Sequence, residues 1–251
     1  MLKLIRIVLL ALFIVISAVF GCIYCLFRPR NHKNVHTMAR FFFWATRFLG
    51  VKVRLKVADE IKELGSAVYI ANHQSNFDIF VLTGAVQPGV VSVGKRSLAW
   101  LPFFGQLYWL SGNILINREK QRKAADTIRQ VVESIREKKG MSVWMFPEGT
   151  RSRGRGLLPF KNGPFHTAVQ AEVPVVPVVC SDYVGQIDLN RWNNGEILIE
   201  IMPPILKDAP QRESARKLNI HCRRLMEGKL EELNSQVQRP EPLPSQKMPA
   251  S

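Results

Sequence analysis

The chain has 251 residues, 47% of them apolar by type, and 35 lysines and arginines against 20 acids, for a formal net charge of +15. That length suits one catalytic-size domain with appendages rather than two full domains, and the apolar share excludes wholesale disorder. Four cysteines (Cys22, Cys25, Cys180, Cys222) are too few and too scattered for a disulfide scaffold, and the charge points to a polyanionic partner: nucleic acid, an anionic membrane surface or a phosphorylated substrate.

Residues 7–27 are an uncharged apolar run of 21, and about 20 suffice for a helix to cross the hydrocarbon core. Lys3 and Arg6 precede it; Arg28, Arg30, Lys33 and Arg40 follow. The run has no clear Ala-x-Ala site, so a retained membrane anchor is expected rather than a cleaved signal peptide. The positive charge favours the residue-28 side as cytoplasmic. Positive charge on both flanks also allows a hairpin that dips into one leaflet. Cys22 and Cys25 lie inside the run and read as small apolar residues. Residues 38–49 are aromatic, basic and too short to span; they suit the membrane interface, or else a helix packed on the domain.

From residue 51 the period changes. Residues 51–57 alternate as a half-buried strand does. Residues 67–71, 90–93, 113–116, 142–146, 175–180 and 196–202 are further strand candidates, with Pro177 suggesting an edge or a strand end. Helices are expected over 78–86, with Asp78 as N-cap, over 121–138, stopped by Gly140, and over 212–233. Residues 236–251 hold four prolines (Pro240, Pro242, Pro244, Pro249) and read as a loose, disordered tail. The expected organisation is a membrane anchor and interfacial helix over 1–50, an α/β domain over 51–235 and the tail. Alternating strands and helices predict a mixed, mainly parallel sheet flanked by helices, behind an N-terminal membrane-embedded helical segment.

Two polar clusters follow strands directly. In Asn72-His73-Gln74-Ser75-Asn76-Phe77-Asp78, a histidine and a carboxylate can form a general base and its orienter. On a regular helix five residues would leave the two side chains about 140° apart, so residues 74–76 must turn to bring His73 over Asp78. The bland alternative is a polar loop with an incidental histidine. In Phe146-Pro147-Glu148-Gly149-Thr150-Arg151-Ser152, Glu148 and Arg151 are potential substrate contacts, and Gly149 lets a backbone N–H approach a phosphate. Arg153, Arg155 and Lys161 add cations with no acid between Arg151 and Lys161, as a phosphate headgroup or a merely solvated loop would have it. Gly112-Asn113-Ile114-Leu115-Ile116-Asn117-Arg118 delivers a guanidinium to the carboxyl edge of the sheet. Val173-Pro174-Val175-Val176-Pro177-Val178 is a buried strand that is also a candidate lining for an acyl path.

Together, in this order and spacing, the four blocks resemble those of the glycerolipid acyltransferase family, most closely its bacterial lysophosphatidate acyltransferases. The His-x4-Asp block falls on His73 and Asp78, and the Phe-Pro-Glu-Gly-Thr-Arg-Ser block on residues 146–152 without departure. The Gly-x-Ile-x-Ile-x-Arg-like block falls on residues 112–118, with Leu115 where phenylalanine is frequent, and the Val-Pro block on residues 173–178. The likeness extends over residues 1 to about 235. It implies acyl transfer from acyl-CoA or acyl carrier protein to the 2-hydroxyl of lysophosphatidic acid at the cytoplasmic face of a bacterial inner membrane. His73 would be the base and Asp78 its orienter. Arg118, Glu148, Gly149, Thr150 and Arg151 would hold the glycerol phosphate, with Lys161 among the loop's cations. Lys95 and main-chain N–H groups near His73 would receive the oxyanion. No metal or other cofactor is expected. A glycerol 3-phosphate or other lysophospholipid acceptor would use the same motifs. A nucleic-acid-binding module leaves the apolar segment and the His73/Asp78 pair unexplained, and a non-catalytic membrane scaffold leaves that pair and the cationic loop without a purpose.

Overall fold

The computed structural model describes residues 1–116 and 124–237. The α-helices are α1 (Leu2–Leu26), α2 (Lys33–Trp44), α3 (Thr46–Leu49), α4 (Asp78–Val81), α5 (Phe104–Leu110), α6 (Ala124–Glu137), α7 (Gly163–Ala171) and α8 (Ala215–Gln236). The strands are β1 (Lys52–Val57), β2 (Val68–Ala71), β3 (Val90–Lys95), β4 (Ile114–Ile116), β5 (Ser142–Met145), β6 (Val175–Cys180) and β7 (Glu196–Ile201). They form a seven-stranded sheet in the order β1-β7-β6-β2-β5-β3-β4. Strands β6, β2, β5, β3 and β4 run parallel, β7 is antiparallel to β6, and β1 is parallel to β7. This is the mixed, mainly parallel sheet that the alternating elements predict.

Side chains alternate across the strands, so the inner strands feed two cores. Tyr69, Ala71, Trp144, Val176 and Val178 meet the layer of α1 to α5. Val68, Ile70, Val143, Val175 and Val179 meet α6, α7 and α8. The Val-Pro block is therefore filled on both faces, and its reading as a buried strand holds, all six residues of β6 being buried.

Pro177 stands in an interior strand rather than at an edge. A strand residue's N–H and C=O face the same neighbour, and Pro177 O accepts Met202 N (2.9 Å), just past the end of β7. The reciprocal bond, from residue 177 N–H to Met202 O, is the one a proline cannot make, and the pairing of β6 with β7 ends there, before the Val175–Ile205 bridge. The expected 78–86 helix is one α turn continued by a 3₁₀ turn over Leu82–Ala85, and α8 begins at Ala215, capped by Ser214, after a 3₁₀ turn over Pro210–Glu213. The tail from residue 238 and the start of the 121–138 helix (121–123) lie outside the described residues.

Helix α1 is long and apolar enough to cross a membrane, and only 17% of its most apolar stretch is buried. It lies along the domain. At Gly21 it approaches so closely that a Cβ would sit 2.7 Å from both Leu107 Cδ1 and Met38 Sδ. Near its other end, buried Arg6 donates to the carbonyls of Arg191 and Trp192 and stacks over the Trp192 ring at 5.7 Å. Helix α2 buries Val35, Met38, Ala39 and Phe42 on the domain and leaves Phe41 and Trp44 exposed.

Candidate active site

Parallel strands bring their carboxyl ends to one edge. Strand β2 delivers His73 there, β5 delivers the 146–152 loop, β6 leads to Ser181 and Tyr183, and β3 ends in Lys95. The turn after β2 closes as its spacing requires. His73 Nδ1 lies 2.6 Å from Asp78 Oδ2. The same oxygen accepts the main-chain N–H groups of Gln74 (2.8 Å) and Ser75 (3.1 Å). Asp78 is thus not the N-cap the sequence suggests. It is the first residue of α4, behind Phe77, and its carboxylate reaches back into its own turn. Its second oxygen, Oδ1, accepts the hydroxyl of buried Tyr183. Burial first, then the Asp78 charge, push the Tyr183 phenol far above its ordinary pKa and keep it a donor.

These contacts fix the chemistry of the ring. Two main-chain N–H donors on Oδ2 mark the oxygen facing His73 as an acceptor, so in the neutral ring Nδ1 carries hydrogen and Nε2 presents a lone pair. Nε2 has no hydrogen-bond partner among the described residues, and the His73 side chain is 17% exposed. The ring stacks on Phe146 at 4.0 Å and 16°. A neutral imidazole, oriented by a buried carboxylate and open on its other nitrogen, can take a proton from a hydroxyl.

The turn itself is pinned from both sides. Asn72 exchanges two bonds with Cys180, Nδ2 to O (2.8 Å) and N to Oδ1 (2.9 Å). Gln74 Nε2 donates to Cys180 O and Ser181 O, and its Oε1 accepts Tyr183 N. On the other side, Ser152 N donates to His73 O (2.8 Å) and Arg153 N to Gln74 O (3.1 Å).

Glu148 is buried, and both its oxygens are engaged by main chain: Oε1 by His73 N (2.7 Å), Oε2 by Leu158 N (3.0 Å). It joins the two loops, where the sequence suggests a direct substrate contact. Burial raises its carboxyl above the ordinary range, against these two N–H donors. Gly149 has φ +69°, and its N–H is taken by Phe146 O (3.1 Å) instead of standing free for a phosphate. A Cβ on Gly149 would meet Lys161 Cε and Nζ at 2.9 Å, so the glycine lets the Lys161 ammonium lie over the loop. Thr150, Arg151 and Lys161 are exposed there. Lys95 is exposed at the end of β3. Of the main-chain donors near His73, those of residues 73, 74 and 75 are committed to Glu148 and Asp78; that of Asn76 has no partner among the described residues. Arg118 lies outside the described residues.

Tyr183 escaped sequence reasoning as part of this site, and Asn72, Gln74 and Phe146 stood inside the two clusters without a role of their own. The one available signal for Tyr183 was an aromatic hydroxyl three residues past a buried strand.

A family model described as Acyltransferase matches residues 52–181. The 1-acyl-sn-glycerol-3-phosphate acyltransferases of Salmonella typhimurium and Escherichia coli are each 47% identical over 237 residues, covering 94% of this chain and 96% of their own. The alpha form from Homo sapiens is 31% identical over 194 residues, 76% of this chain and 68% of that one. The crystal structure of the 1-acyl-sn-glycerophosphate (LPA) acyltransferase from Thermotoga maritima superposes with a TM-score of 0.74 at 24% identity, over 93% of this chain and 95% of that one. With a family model over more than half its length and relatives of this identity along nearly all of it, the chain belongs to the acyltransferase family.

Proposed function

We propose that the protein transfers a fatty acyl group from an acyl-CoA or acyl carrier protein thioester to the 2-hydroxyl of lysophosphatidic acid, giving phosphatidic acid for phospholipid synthesis. The observation that carries this reading is the open Nε2 of a carboxylate-oriented His73 beside an exposed cationic loop. The names of the bacterial relatives, 47% identical along almost the whole chain, support this acceptor.

His73 Nε2 takes the proton of the 2-hydroxyl as its oxygen attacks the thioester carbonyl. The tetrahedral intermediate collapses with the C–S bond, and the imidazolium returns the proton to the leaving thiolate. The acyl group passes directly, so the thioester is the only co-substrate the chemistry calls on. Asp78 stabilises the imidazolium, and Tyr183 steadies Asp78. Lys95 and the Asn76 N–H are the groups left to receive the oxyanion. Arg151, Lys161 and Arg118 hold the lysolipid phosphate, with Thr150 beside them.

Helix α1 seats the enzyme in the membrane. A helix tied to its own domain at Arg6 and again at Gly21 lies alongside it, so its outer face, with Leu4, Val8, Leu12 and Phe20 exposed, enters one leaflet without crossing. The leaflet is the cytoplasmic one of the inner membrane, where lysolipid and acidic donors meet a basic protein.

The test is phosphatidic acid formation by the detergent-purified protein from lysophosphatidic acid, with palmitoyl-CoA or the palmitoyl-acyl carrier protein as donor. His73→Ala should lower the rate by about 10²–10⁴. Turnover that survives this substitution, or no product from either donor by folded protein, overturns the reading; glycerol 3-phosphate and other lysophospholipids would then be the acceptors to try.

A further inference from the structure

A cavity of about 520 Å³ opens along the outer edge of β4, lined by none of the residues around His73. Three cations, Arg30, Arg96 and Lys138, and two indoles, Trp100 and Trp109, line it, with no acid among its described lining residues. The Arg30 guanidinium lies over the Trp109 ring, 5.2 Å from its centroid. Trp100 is 82% exposed, a large apolar ring with no ring partner among the described residues. An open indole face, a neighbouring group of cations and the hydroxyl of Ser134 suit a base carrying several phosphates: the ring stacks, the cations take the phosphates.

Position adds a second constraint. Strand β4 is three places from β2 in the sheet, by way of β5 and β3. At about 4.8 Å per strand, the cavity lies roughly 14 Å across the sheet from the strand that carries His73. The pantetheine arm of an acyl-CoA separates thioester from nucleotide by a distance of this order. Resting on the acyl-transfer reading above, we propose that this cavity binds the adenosine 3′-phosphate 5′-diphosphate end of an acyl-CoA donor. The adenine stacks on Trp100, and three phosphate groups meet Arg30, Arg96 and Lys138. An acyl carrier protein carries the same arm without the nucleotide, so its use bypasses the cavity.

The test uses the full chain in detergent, with two exposed positions changed separately, Trp100→Ala and Arg96→Gln. Binding of adenosine 3′,5′-bisphosphate is measured by calorimetry. Acyl transfer to lysophosphatidic acid is measured with palmitoyl-CoA and with palmitoyl-pantetheine, which lacks the nucleotide. Each variant should weaken bisphosphate binding and raise KM for palmitoyl-CoA about tenfold or more, while kcat and the palmitoyl-pantetheine rate stay unchanged. An unchanged KM for palmitoyl-CoA in both variants overturns the proposal. So does an equal loss with both donors, which would mark the cavity as a seat for lipid. If the wild type binds the bisphosphate through Trp100 and Arg96 yet acylates lysophosphatidic acid with neither donor, the nucleotide site stands and the acceptor is wrong.

Discussion

Replacing Asp78 with asparagine isolates the charge behind His73. The side chain is buried, and Oδ2 receives three N–H donors, from His73, Gln74 and Ser75, while Oδ1 receives the Tyr183 hydroxyl. An asparagine can satisfy the same partners: its carbonyl takes the Oδ2 position, and its NH₂ donates to Tyr183, whose hydroxyl turns to accept. The two main-chain donors hold the amide in that orientation, so Nδ1 of His73 keeps its hydrogen and Nε2 stays basic. What is lost is the difference between a charge-assisted bond to the imidazolium, about 3 kcal/mol, and a neutral one, about 1 kcal/mol. A loss of about 2 kcal/mol in the transition state corresponds to roughly 30-fold in kcat. Thermal stability should move by no more than about 1 kcal/mol. Asp78→Ala differs in kind, because it strands four donors in a buried turn and costs on the order of 5 kcal/mol, comparable with the stability of a whole domain. The assay is phosphatidic acid formation at saturating donor beside a thermal melt. Undiminished turnover in Asp78→Asn would refute the stabilisation of the imidazolium by the Asp78 charge. A loss beyond about 10⁴ in a folded protein would refute the locked tautomer, since only a flipped imidazole takes catalysis down so far.

Tyr183→Phe leaves Asp78 Oδ1 without its donor and should cost about 1–3 kcal/mol of stability by thermal melt, with a smaller fall in rate than Asp78→Asn. Glu148 is held with its carboxyl raised by burial, so its contribution is complete below the ordinary glutamate range and is lost as pH climbs through the raised value; the stability margin of wild type over Glu148→Gln, followed by melts, should shrink from about pH 4.5 upward. Gly149→Ala meets φ +69° and the Lys161 ammonium together; about 1 kcal/mol of stability should go, and KM for the lysolipid should rise as the lysine is displaced. Arg6→Met removes the guanidinium that donates to the carbonyls of Arg191 and Trp192, and limited proteolysis should then cut more readily in the 188–192 loop.

What the sequence made legible was local. The His73/Asp78 spacing cannot close on a helix, and the turn that closes it is there. The strand-then-loop pattern at residues 142–152 placed a second polar cluster on the same edge as the first. What escaped depends on sheet order. Tyr183 reaches Asp78 only because β6 lies beside β2, 105 positions away in sequence, and short apolar runs carry neither order nor direction. Pro177 misled for the same reason: it signals a missing donor, and here the gap falls inside the sheet, where the pairing of β6 with β7 ends. Glu148 shows a further limit. A carboxylate in a cationic loop looks like a substrate contact until the main chain is seen to fold around it.

The two-ended attachment of α1 has a consequence for how the enzyme meets its lipid. A helix joined to its domain at one end is a tether, and its catalyst samples many depths and tilts over the bilayer. Held at Arg6 and at Gly21, this helix shares one rigid frame with the His73 turn. On the proposed seating of α1 in one leaflet, its immersion would set the height of Nε2 above the acyl chains once, during folding, instead of at every encounter with the proposed lysolipid. The rate should therefore respond to membrane thickness as a keel responds to the depth of water, through the whole body at once.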